Sequence, residues 1–370
     1  MQQSEVVSDD LGPLKIIHVH QPSVNLRATL VVDNVARGPS VGGMRMALDV
    51  STEECFRLAR AMTLKNAAAD LPHGGGKMVI YADPNMPAEQ KEPLLRCLAG
   101  ALRNETDYLF APDMGTDETC MAWIKDEVGR AVGLPRDQGG IPLNEIGATA
   151  WGLVEAIEVG CDAINLQLSN CRFVMQGFGA VGMNATRFLC QRGATLVAAA
   201  DWKGAIADAN GLDIDPLITL QKQGRSITEL SGAQLISPDQ LLSIECDIWV
   251  PAARPDVINS DNVDQLNTRM LPQGANIPAT AAAEQRLHER DILVIPDFIA
   301  NAGGIICGSL EHQGCDESVV LPAISEKIRR NSEIVIATAL KQNILPREAA
   351  LQLALDRLTH AMSSRRWSLF

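Results

Sequence analysis

The chain has 370 residues, of which 46% are hydrophobic and 21% are charged, and its formal net charge is −13. This length predicts two domains with substantial cores, and the composition is typical of a soluble globular protein. No basic patch stands out against the acidic background, which argues against a nucleic-acid or membrane-surface partner.

Cysteine and histidine usage points away from disulfides and metals. The nine cysteines lie between Cys55 and Cys315 without a CxxC pair, which is typical of reduced thiols. The six histidines lack metal-ligand spacing, so we predict no metal site. The segment MQQSEVVSDD lacks the basic and apolar regions of a signal peptide, and no apolar run reaches transmembrane length. We therefore expect a cytoplasmic protein.

The first part of the chain alternates strands and helices. Three strand patterns, KIIHVH, RATLVVDNV and GGMRMAL, precede a helix over 51–69. This helix is opened by Ser51 and Thr52, with Glu53 and Glu54 in its first turn. A strand KMVIYAD, a helix over 87–102 that begins with proline, and a strand over 108–113 follow. This alternation predicts an α/β domain.

Two lysines flank a glycine run in MTLKNAAADLPHGGGKMVI, residues 62–80. Lys65 lies near the end of the predicted helix, which stops before Pro72, and Lys77 begins the next strand. We expect the segment 73–76, HGGG, to be an irregular turn in which the backbone and a ligand approach closely. Both ammonium groups would then face one cleft. The alternative is a loop with two solvated lysines.

A carboxylate, Asp113, follows the last strand of this part, in APDMGTDETC. Functional sites concentrate at strand ends in open α/β sheets, which makes Asp113 a candidate site residue. The next helix could be capped by Thr116 or by Asp117. The alternative for Asp113 is a turn or capping carboxylate, and Asp117 is left to that alternative.

A helix over 148–159 leads into a second set of strands and helices. In CRFVMQGFGAVG, the glycines Gly177, Gly179 and Gly182 follow an apolar strand and precede a helix, as in a dinucleotide-binding turn. The next strand ends in Asp201, where such folds place a carboxylate that binds the ribose. The pyrophosphate would lie at the helix N-terminus, where the dipole favours negative charge. The alternative is a structural glycine turn.

Three later strands, over 246–253, 271–276 and 291–297, each end in small or polar residues, among them Ala252 and Asn276. Such ends form the ligand-facing edge of a parallel sheet. The connections 208–217 and 221–237 are typical of polar surface insertions. From Glu317 onward the pattern is helical, with a break at Pro346.

The whole chain from about Arg37 resembles one family. The segments GPSVGGMRM, MTLKNAAADLPHGGGK, APDMGTD, EIGAT, QGFGAVG, QGANIP and PDFIANAGGII match, in order, motifs of the glutamate/leucine/phenylalanine/valine dehydrogenase family. The resemblance implies NAD(P)-dependent, reversible oxidative deamination of an L-amino acid to a 2-oxo acid and ammonia, by a homo-oligomer. It also implies two α/β domains separated by a cleft. These are a substrate and oligomerisation domain over 1–147 with a C-terminal helix at about 338–370, and a Rossmann domain over 148–337.

The resemblance assigns catalytic roles. Lys65 matches the lysine that holds the substrate α-carboxylate, Lys77 the catalytic lysine, and Asp113 the catalytic aspartate. A lysine acts as a base near neutral pH only if burial and a nearby positive charge lower its pKa, and Lys65 would supply that charge. Asp113 would pass protons to and from the substrate nitrogen.

Other matched positions surround the substrate and the cofactor. Gly42 and Gly43 match the floor of the substrate pocket, Asn276 an amide that orients the substrate, and Thr149 a residue near the nicotinamide. Arg45 also belongs to the family pattern, as a structural or a catalytic residue. We predict that NAD is preferred over NADP, with contacts from Thr149, Gly177, Phe178, Gly179, Ala180, Val181, Gly182, Asp201, Ala252 and Asn276.

Two departures from the family pattern bear on the substrate. Glutamate-specific members have a lysine before the two glycines of GGxR and a serine after NAGG, where this chain has Val41 and Gly308. Because burying a glutamate γ-carboxylate without a cation is costly, we expect an aliphatic or aromatic substrate. The alternative is a glutamate dehydrogenase that uses Arg45 or Arg254 instead, and the segment DWKGAIADANGLD favours that branch. A catalytically silent NAD-binding regulatory protein is a further alternative.

Overall fold

The computed structural model describes residues 8–364, so the predictions for residues 1–7 and 365–370 lie outside the described residues. The chain divides into two compact units. Unit 1 comprises the chain up to Pro142, Ile305–Val319 and the chain from Leu353 onward, and unit 2 comprises Leu143–Gly304 and Val320–Gln352.

This division differs from the predicted boundaries, because the segment 338–352 belongs to unit 2 and the segment 305–319 to unit 1. The long helix over Val320–Gln342 packs against the first helix of unit 2, where Trp151 Nε1 donates to Ser325 Oγ at 2.7 Å. This packing keeps most of the C-terminal region with unit 2.

Unit 1 is built on a five-stranded sheet of order β1-β2-β4-β3-β5. The pairs β1/β2 and β2/β4 are antiparallel, whereas β3 pairs in parallel with both β4 and β5. The apolar faces of this sheet and of two helices form a buried core. The elements are β1 (Lys15–Gln21), β2 (Leu26–Asn34), β3 (Ser40–Ala47), α1 (Thr52–Ala68), β4 (Gly74–Tyr81), α2 (Ala88–Ala101), β5 (Tyr108–Pro112) and α3 (Glu118–Val128).

Local sequence signals set two helix starts in unit 1. Ser51 caps α1 by accepting a hydrogen bond from the N–H of Glu54, at 3.0 Å. Asp117 caps α3 by accepting from the N–H of Cys120, at 2.9 Å. Both contacts satisfy N–H groups that a helix leaves free in its first turn. The sequence predicted both helix starts and left open whether Thr116 or Asp117 caps α3.

The expectation of an irregular turn over 73–76 is wrong, because Gly74, Gly75 and Gly76 lie inside β4. Glycine is required there by close packing. A Cβ on Gly75 would lie 2.0 Å from the backbone nitrogen of Thr63 in α1, and one on Gly74 would lie 1.8 Å from a carbonyl oxygen of β2. The glycines therefore serve contacts within the protein.

Unit 2 contains a seven-stranded sheet of order β12-β11-β10-β6-β7-β8-β9. Strands β12 to β7 pair in parallel, and β8 and β9 extend the sheet antiparallel beyond β7. The elements are α4 (Ala148–Ala163), β6 (Arg172–Gln176), α5 (Ala180–Gln191), β7 (Thr195–Ala200), β8 (Ala205–Ala207), α6 (Ile214–Lys222), β9 (Gln234–Ile236), α7 (Pro238–Leu242), β10 (Ile248–Pro251), β11 (Met270–Pro272), α8 (Ala281–Glu289), β12 (Leu293–Ile295), α9 (Asp297–Ala300), α10 (Gly303–His312), α11 (Val320–Gln342) and α12 (Pro346–Ser364).

Helices α10 and α12 continue into unit 1, from Ile305 and from Leu353 respectively. The connections 208–217 and 221–237 are only partly the polar insertions that the sequence predicts. They contain most of α6 and all of β9, and β9 is the edge strand of the sheet. These elements are too short to show a clear hydrophobic period.

Three further observations concern the described chain. All nine cysteines are free thiols. No group of three or more His, Cys, Asp or Glu side chains within residues 8–364 is arranged to hold a metal ion. Over the same residues, no helix is both long enough and apolar enough to cross a membrane.

Candidate active site

Unit 1 brings Lys77 and Asp113 into direct contact. The Nζ atom of Lys77 lies 2.5 Å from Oδ2 of Asp113, and Nε of Arg45 lies 3.2 Å from the same oxygen. Arg45 in turn binds Glu54 through Nη1, at 2.7 Å. Lys77 is 6% exposed. The result is a row of alternating charges in which the buried lysine ends the row.

The strand pairing explains this arrangement. Lys77 lies on β4, Arg45 on β3, and Asp113 directly follows β5, and these three strands are neighbours in the sheet. A Cβ on Gly43 would lie 2.6 Å from Cβ of Asp113, and one on Gly42 would lie 1.7 Å from the carbonyl oxygen of Gly76. The predicted floor glycines thus allow the close approach that places Asp113.

Thr116 fixes the backbone of Asp113. Its Oγ1 accepts from the N–H of Asp113 at 3.0 Å and donates to the carbonyl oxygen of Met44 at 2.8 Å. The sequence suggested Thr116 only as an alternative cap of α3, a role that Asp117 takes instead.

The electrostatics of Asp113 follow from these contacts. Burial disfavours the carboxylate, but the charge and hydrogen bond of Lys77, together with the charge of Arg45, outweigh it and lower the pKa of Asp113. Burial likewise opposes the charge of Arg45, but Asp113 and Glu54 raise the pKa of its guanidinium. Both groups therefore stay ionised near neutral pH.

Lys65 lies on α1, two residues after Thr63, and it is half-buried. The contact between Thr63 and Gly75 joins α1 to β4. Since residues 75 and 77 of a strand point to the same face, the side chain of Lys77 leaves β4 on the face that α1 covers. The segments that carry the two lysines therefore pack together.

The two positions that depart from the family pattern also lie in unit 1. Val41 is a half-buried residue of β3, paired with Gly75 of β4. Gly308 is in α10, and a Cβ there would lie 3.7 Å from a methyl group of Val132, which is ordinary contact. Next to Gly308, Ser309 binds the buried His73 through Oγ at 3.0 Å.

In unit 2, the turn after β6 has the geometry of a dinucleotide cradle. Gly177 has φ +99°, and a Cβ there would lie 2.7 Å from the carbonyl oxygen of Ala252. A Cβ on Gly182 would lie 1.9 Å from the carbonyl oxygen of Gly177, so helix and turn touch. At Gly179, which precedes α5, a Cβ would meet no atom within 4 Å, so the space before the helix is open.

These residues fit a bound pyrophosphate. The first N–H groups of a helix have no partner within it and favour an anion. The turn lies between β6 and β10, where connections leave the sheet in opposite directions and ligands bind. Gln176, the last residue of β6, has a buried Oε1 without a hydrogen-bond partner in the described structure. Phe178, in contrast, is buried and packs inside the unit.

Other predicted cofactor residues gather at the same end of the sheet. Thr149, Ala180 and Val181 line one small pocket. Ala252 directly follows β10, and its N–H donates to the carbonyl oxygen of Gln176 at 2.7 Å. The sequence therefore identified residues that lie close together in unit 2.

Asp201 has a structural role that the sequence analysis did not include. Its Oδ1 accepts from the N–H groups of Lys203 and Gly204, at 2.8 and 3.2 Å, and its Oδ2 accepts from the N–H of Ile227, at 2.9 Å. The carboxylate thus closes the turn between β7 and β8 while remaining at the end of β7.

Asn276 is exposed and is oriented by a neighbour that the sequence analysis missed. Its Oδ1 accepts a hydrogen bond from Nδ2 of Asn301, at 2.9 Å. Asn301 is 6% exposed and also donates to the carbonyl oxygen of Gly274, at 3.3 Å. The alternative cation Arg254 is an exposed residue of unit 2.

Comparison with known proteins matches both halves of the chain to one family. The family model described as Glutamate/Leucine/Phenylalanine/Valine dehydrogenase matches residues 139–366, and the model described as Glu/Leu/Phe/Val dehydrogenase, dimerisation domain, matches residues 15–130. The chain belongs to this family. The predicted family, the two-domain α/β fold with a Rossmann-type sheet, and the enzyme class are confirmed.

Relatives span most of the chain. A glutamate dehydrogenase of Aeropyrum pernix is 31% identical over 359 residues, which cover 90% of this chain and 85% of that protein. An NAD-specific glutamate dehydrogenase of Staphylococcus aureus is 34% identical over 354 residues, with the same coverage of 90% and 85%.

Solved structures give the same result. The hetero-hexameric glutamate dehydrogenase of Thermus thermophilus, in its Leu-bound form, has a TM-score of 0.84 and 28% identity over 96% of this chain and 91% of that chain. L-Tryptophan dehydrogenase from Nostoc punctiforme shares the fold, with a TM-score of 0.76 and 24% identity over 94% of this chain and 96% of that chain. The protein is an oxidoreductase of the amino acid dehydrogenase type, and its predicted cofactor, NAD(P), is confirmed at that level.

Proposed function

We propose that the protein catalyses reversible oxidative deamination of an L-amino acid with an apolar side chain, with NAD as the preferred acceptor. The contact of 2.5 Å between Lys77 and Asp113 carries the proposal. It joins a buried amine to a carboxylate in a sheet-end site of a dehydrogenase fold, which is the arrangement that a base and a proton relay require.

In the oxidative direction, NAD(P) held by the turn after β6 would supply the hydride acceptor, and removal of the hydride from Cα of the amino acid leaves an iminium. Lys77 takes a proton from the water that attacks the resulting iminium carbon, and Asp113 returns a proton to the substrate nitrogen as ammonia departs. The overall balance is amino acid, NAD(P)⁺ and water giving 2-oxo acid, ammonium, NAD(P)H and one proton.

Lys77 has to give up its proton before it can act as the base. The acceptor at 2.5 Å is Asp113, whose oxygen also binds Arg45. We infer that a proton moves directly between Lys77 and Asp113, without an intervening water. The ammonium group of Lys65, on the helix that packs against β4, is the proposed partner of the substrate α-carboxylate.

Val41 and Gly308 support an apolar substrate side chain, because neither can pair with a γ-carboxylate. Arg45, one of the two cations that the glutamate alternative requires, is already bound to Glu54 and Asp113. A charge left unpaired in a closed site is strongly disfavoured.

Glutamate is the second candidate substrate, and the relatives at 31% and 34% identity, which are named glutamate dehydrogenases, favour it. We place it second because substrate choice depends on the residues of the site. The test is NADH formation by wild-type protein and by Lys77→Ala with leucine, valine, phenylalanine, tryptophan and glutamate.

For assembly we propose a homo-oligomer formed through residues 15–130. The dimerisation-domain description of the matching family model supports this proposal. Mass photometry of the purified protein tests it, and a monomer at micromolar concentration would contradict it.

A further inference from the structure

Helix α9, Asp297–Ala300, and its C-terminal cap Asn301 bind two adjacent residues of the segment QGANIP. Oδ2 of Asp297 accepts a hydrogen bond from the N–H of Ile277 at 2.8 Å. One turn later, Nδ2 of Asn301 donates to Oδ1 of Asn276 at 2.9 Å. Residues 297 and 301 lie four positions apart and therefore share one face of the helical turn. The turn thus fixes positions 276 and 277 together.

Ile277 requires these fixing hydrogen bonds because its backbone is strained. Its φ is +48°, in the left-handed region that β-branched residues rarely adopt. Its side chain is 56% exposed, so packing does not impose this conformation. Two hydrogen bonds made by the backbone of Ile277 impose it instead. The N–H binds Asp297, and the carbonyl oxygen accepts from the N–H of Asp256 at 3.0 Å. Strain that the surroundings maintain often marks a functional site.

Arg347, at the start of α12 and within unit 2, fixes Asp297. Its Nη1 donates to Oδ1 of Asp297 at 2.9 Å, and its Nε and Nη2 each bind one oxygen of Glu284 at 2.7 Å. Gln273 Oε1 accepts from Nη2 of Arg347 at 2.8 Å and from the N–H of Asp297 at 3.1 Å. Asp297, Glu284 and Gln273 are 5%, 3% and 0% exposed.

This network is buried and fully paired, which makes it rigid. Burial opposes the charge of Arg347, but the hydrogen bonds and charges of Glu284 and Asp297 outweigh it and raise the pKa of the guanidinium. The guanidinium therefore stays charged at neutral pH.

This network determines which atom of the Asn276 amide can bind a ligand. Its Oδ1 is occupied by Asn301, which leaves the Nδ2 group as the donor that can reach a ligand. We propose that Asp297 and Arg347 are positioning residues that hold the Asn276 amide ready to donate a hydrogen bond to an oxygen of the bound substrate. The inference rests on the proposed role of Asn276 in substrate binding.

Kinetics of Asp297→Ala test the proposal. We expect kcat/KM for the amino acid to fall about 10- to 100-fold, the scale of a misplaced binding group. Asn276→Ala should give a similar loss, and the double variant should lose little more than either single variant, because both act through one amide. Adding Ile277→Gly to Asp297→Ala should restore most of the loss, since glycine adopts positive φ without strain.

Glu155→Ala is the matched control. Glu155 is also 5% exposed and binds two arginines, Arg192 at 2.9 Å and Arg329 at 3.1 Å, elsewhere in unit 2. The Glu155→Ala variant should have a lower Tm than the wild type, as Asp297→Ala should, but an unchanged kcat/KM. If the losses of Asn276→Ala and Asp297→Ala multiply and Ile277→Gly restores nothing, Asp297 is merely structural and the proposal is overturned.

A second measurement does not depend on the proposed function. Amide hydrogen exchange of the peptide over 274–279 should be faster in Asp297→Ala than in wild type, and unchanged in Glu155→Ala. This result is expected even if the protein oxidises no amino acid. Failure of the proposed function can therefore be distinguished from failure of the positioning role. Unchanged exchange in Asp297→Ala would overturn the positioning role. If Asp297→Ala does not fold, Asp297→Asn removes the charge that Arg347 binds but keeps an acceptor for Ile277, so it should change kcat/KM and exchange in the same direction by a smaller factor.

Discussion

Nζ of Lys77 lies 2.5 Å from Oδ2 of Asp113, so the proposed base and the proposed proton relay share a direct contact. Lys77 is buried, Asp113 is half-buried, and the same oxygen also binds Arg45. Proton transfer between Lys77 and Asp113 then needs no ordered water. We therefore expect both residues to act in the chemical step.

Lys77→Ala should lower turnover at least about a hundredfold, because a general base typically contributes that much or more. NADH binding, measured by fluorescence titration, should change little, since the proposed cofactor residues lie in unit 2. Lys15→Ala is the control, because it removes a lysine bound to Asp107 at 2.8 Å on the surface of unit 1. Turnover by Lys77→Ala above a hundredth of wild type would remove Lys77 from the role of base.

Gly75→Ala should destabilise the fold by about 3 kcal/mol or more, since the added methyl group meets backbone that cannot move aside cheaply. The methyl carbon would lie 2.0 Å from the backbone nitrogen of Thr63. Gly100→Ala, in α2 where a Cβ meets no atom within 4 Å, should instead stabilise by about 0.5–1 kcal/mol. Urea unfolding of both variants tests this, and equal stabilities would contradict the packing explanation of β4.

Asp201 should make NAD the better cofactor, because a carboxylate at the end of β7 repels the 2′-phosphate of NADP. Asp201→Asn, which removes the charge and keeps a hydrogen-bond acceptor, should narrow the ratio of kcat/KM between the two cofactors. Lys203→Gln should widen it, because Lys203 adds positive charge two residues on. A higher kcat/KM with NADP in the wild type would refute the role of Asp201.

His73 should make stability depend on pH. Burial, with a smaller effect of His312, lowers the pKa of His73 from its usual 6.5 to about 4. Between these values the unfolded chain binds a proton that the folded chain does not, so stability is full above pH 6.5 and falls as pH drops towards 4. The shift corresponds to about 3 kcal/mol. His73→Phe should flatten the urea-unfolding profile in this window, whereas the exposed His20→Gln should not. If the stability of His73→Phe depends on pH as steeply as that of the wild type, His73 is not the cause of the pH dependence.

Signals from residues close in sequence were sufficient to predict part of the structure. The caps Ser51 and Asp117 and the turn from Gly177 to Gly182 depend on residues close in sequence, and the structure places them as the sequence indicates. Asp113 was selected because it follows a strand, and Lys77 because it lies in a recognisable motif, although the structure places Lys77 in the middle of β4.

Contacts between distant residues account for what the sequence analysis missed. The glycines of β4 are in a strand because Thr63 and β2 crowd it, and no local pattern reports that crowding. The same holds for Arg347, whose partner Asp297 is 50 residues away, and for Asp201, whose carboxylate binds the N–H of Ile227. Each is a polar or close-packed contact that only the folded chain creates.

The preference for an apolar side chain is the central claim, and steady-state kinetics of the wild-type protein test it most directly. With NAD, kcat/KM for leucine, valine, phenylalanine or tryptophan should exceed that for glutamate, because Val41 and Gly308 offer no partner to a γ-carboxylate. Val41→Lys combined with Gly308→Ser should shift activity towards glutamate. Enlarging Gly308 to Val should reduce turnover of bulky substrates and spare small aliphatic ones. If the wild type is fastest on glutamate and Val41→Lys leaves its KM for glutamate unchanged, the claim is contradicted and the glutamate dehydrogenase alternative stands.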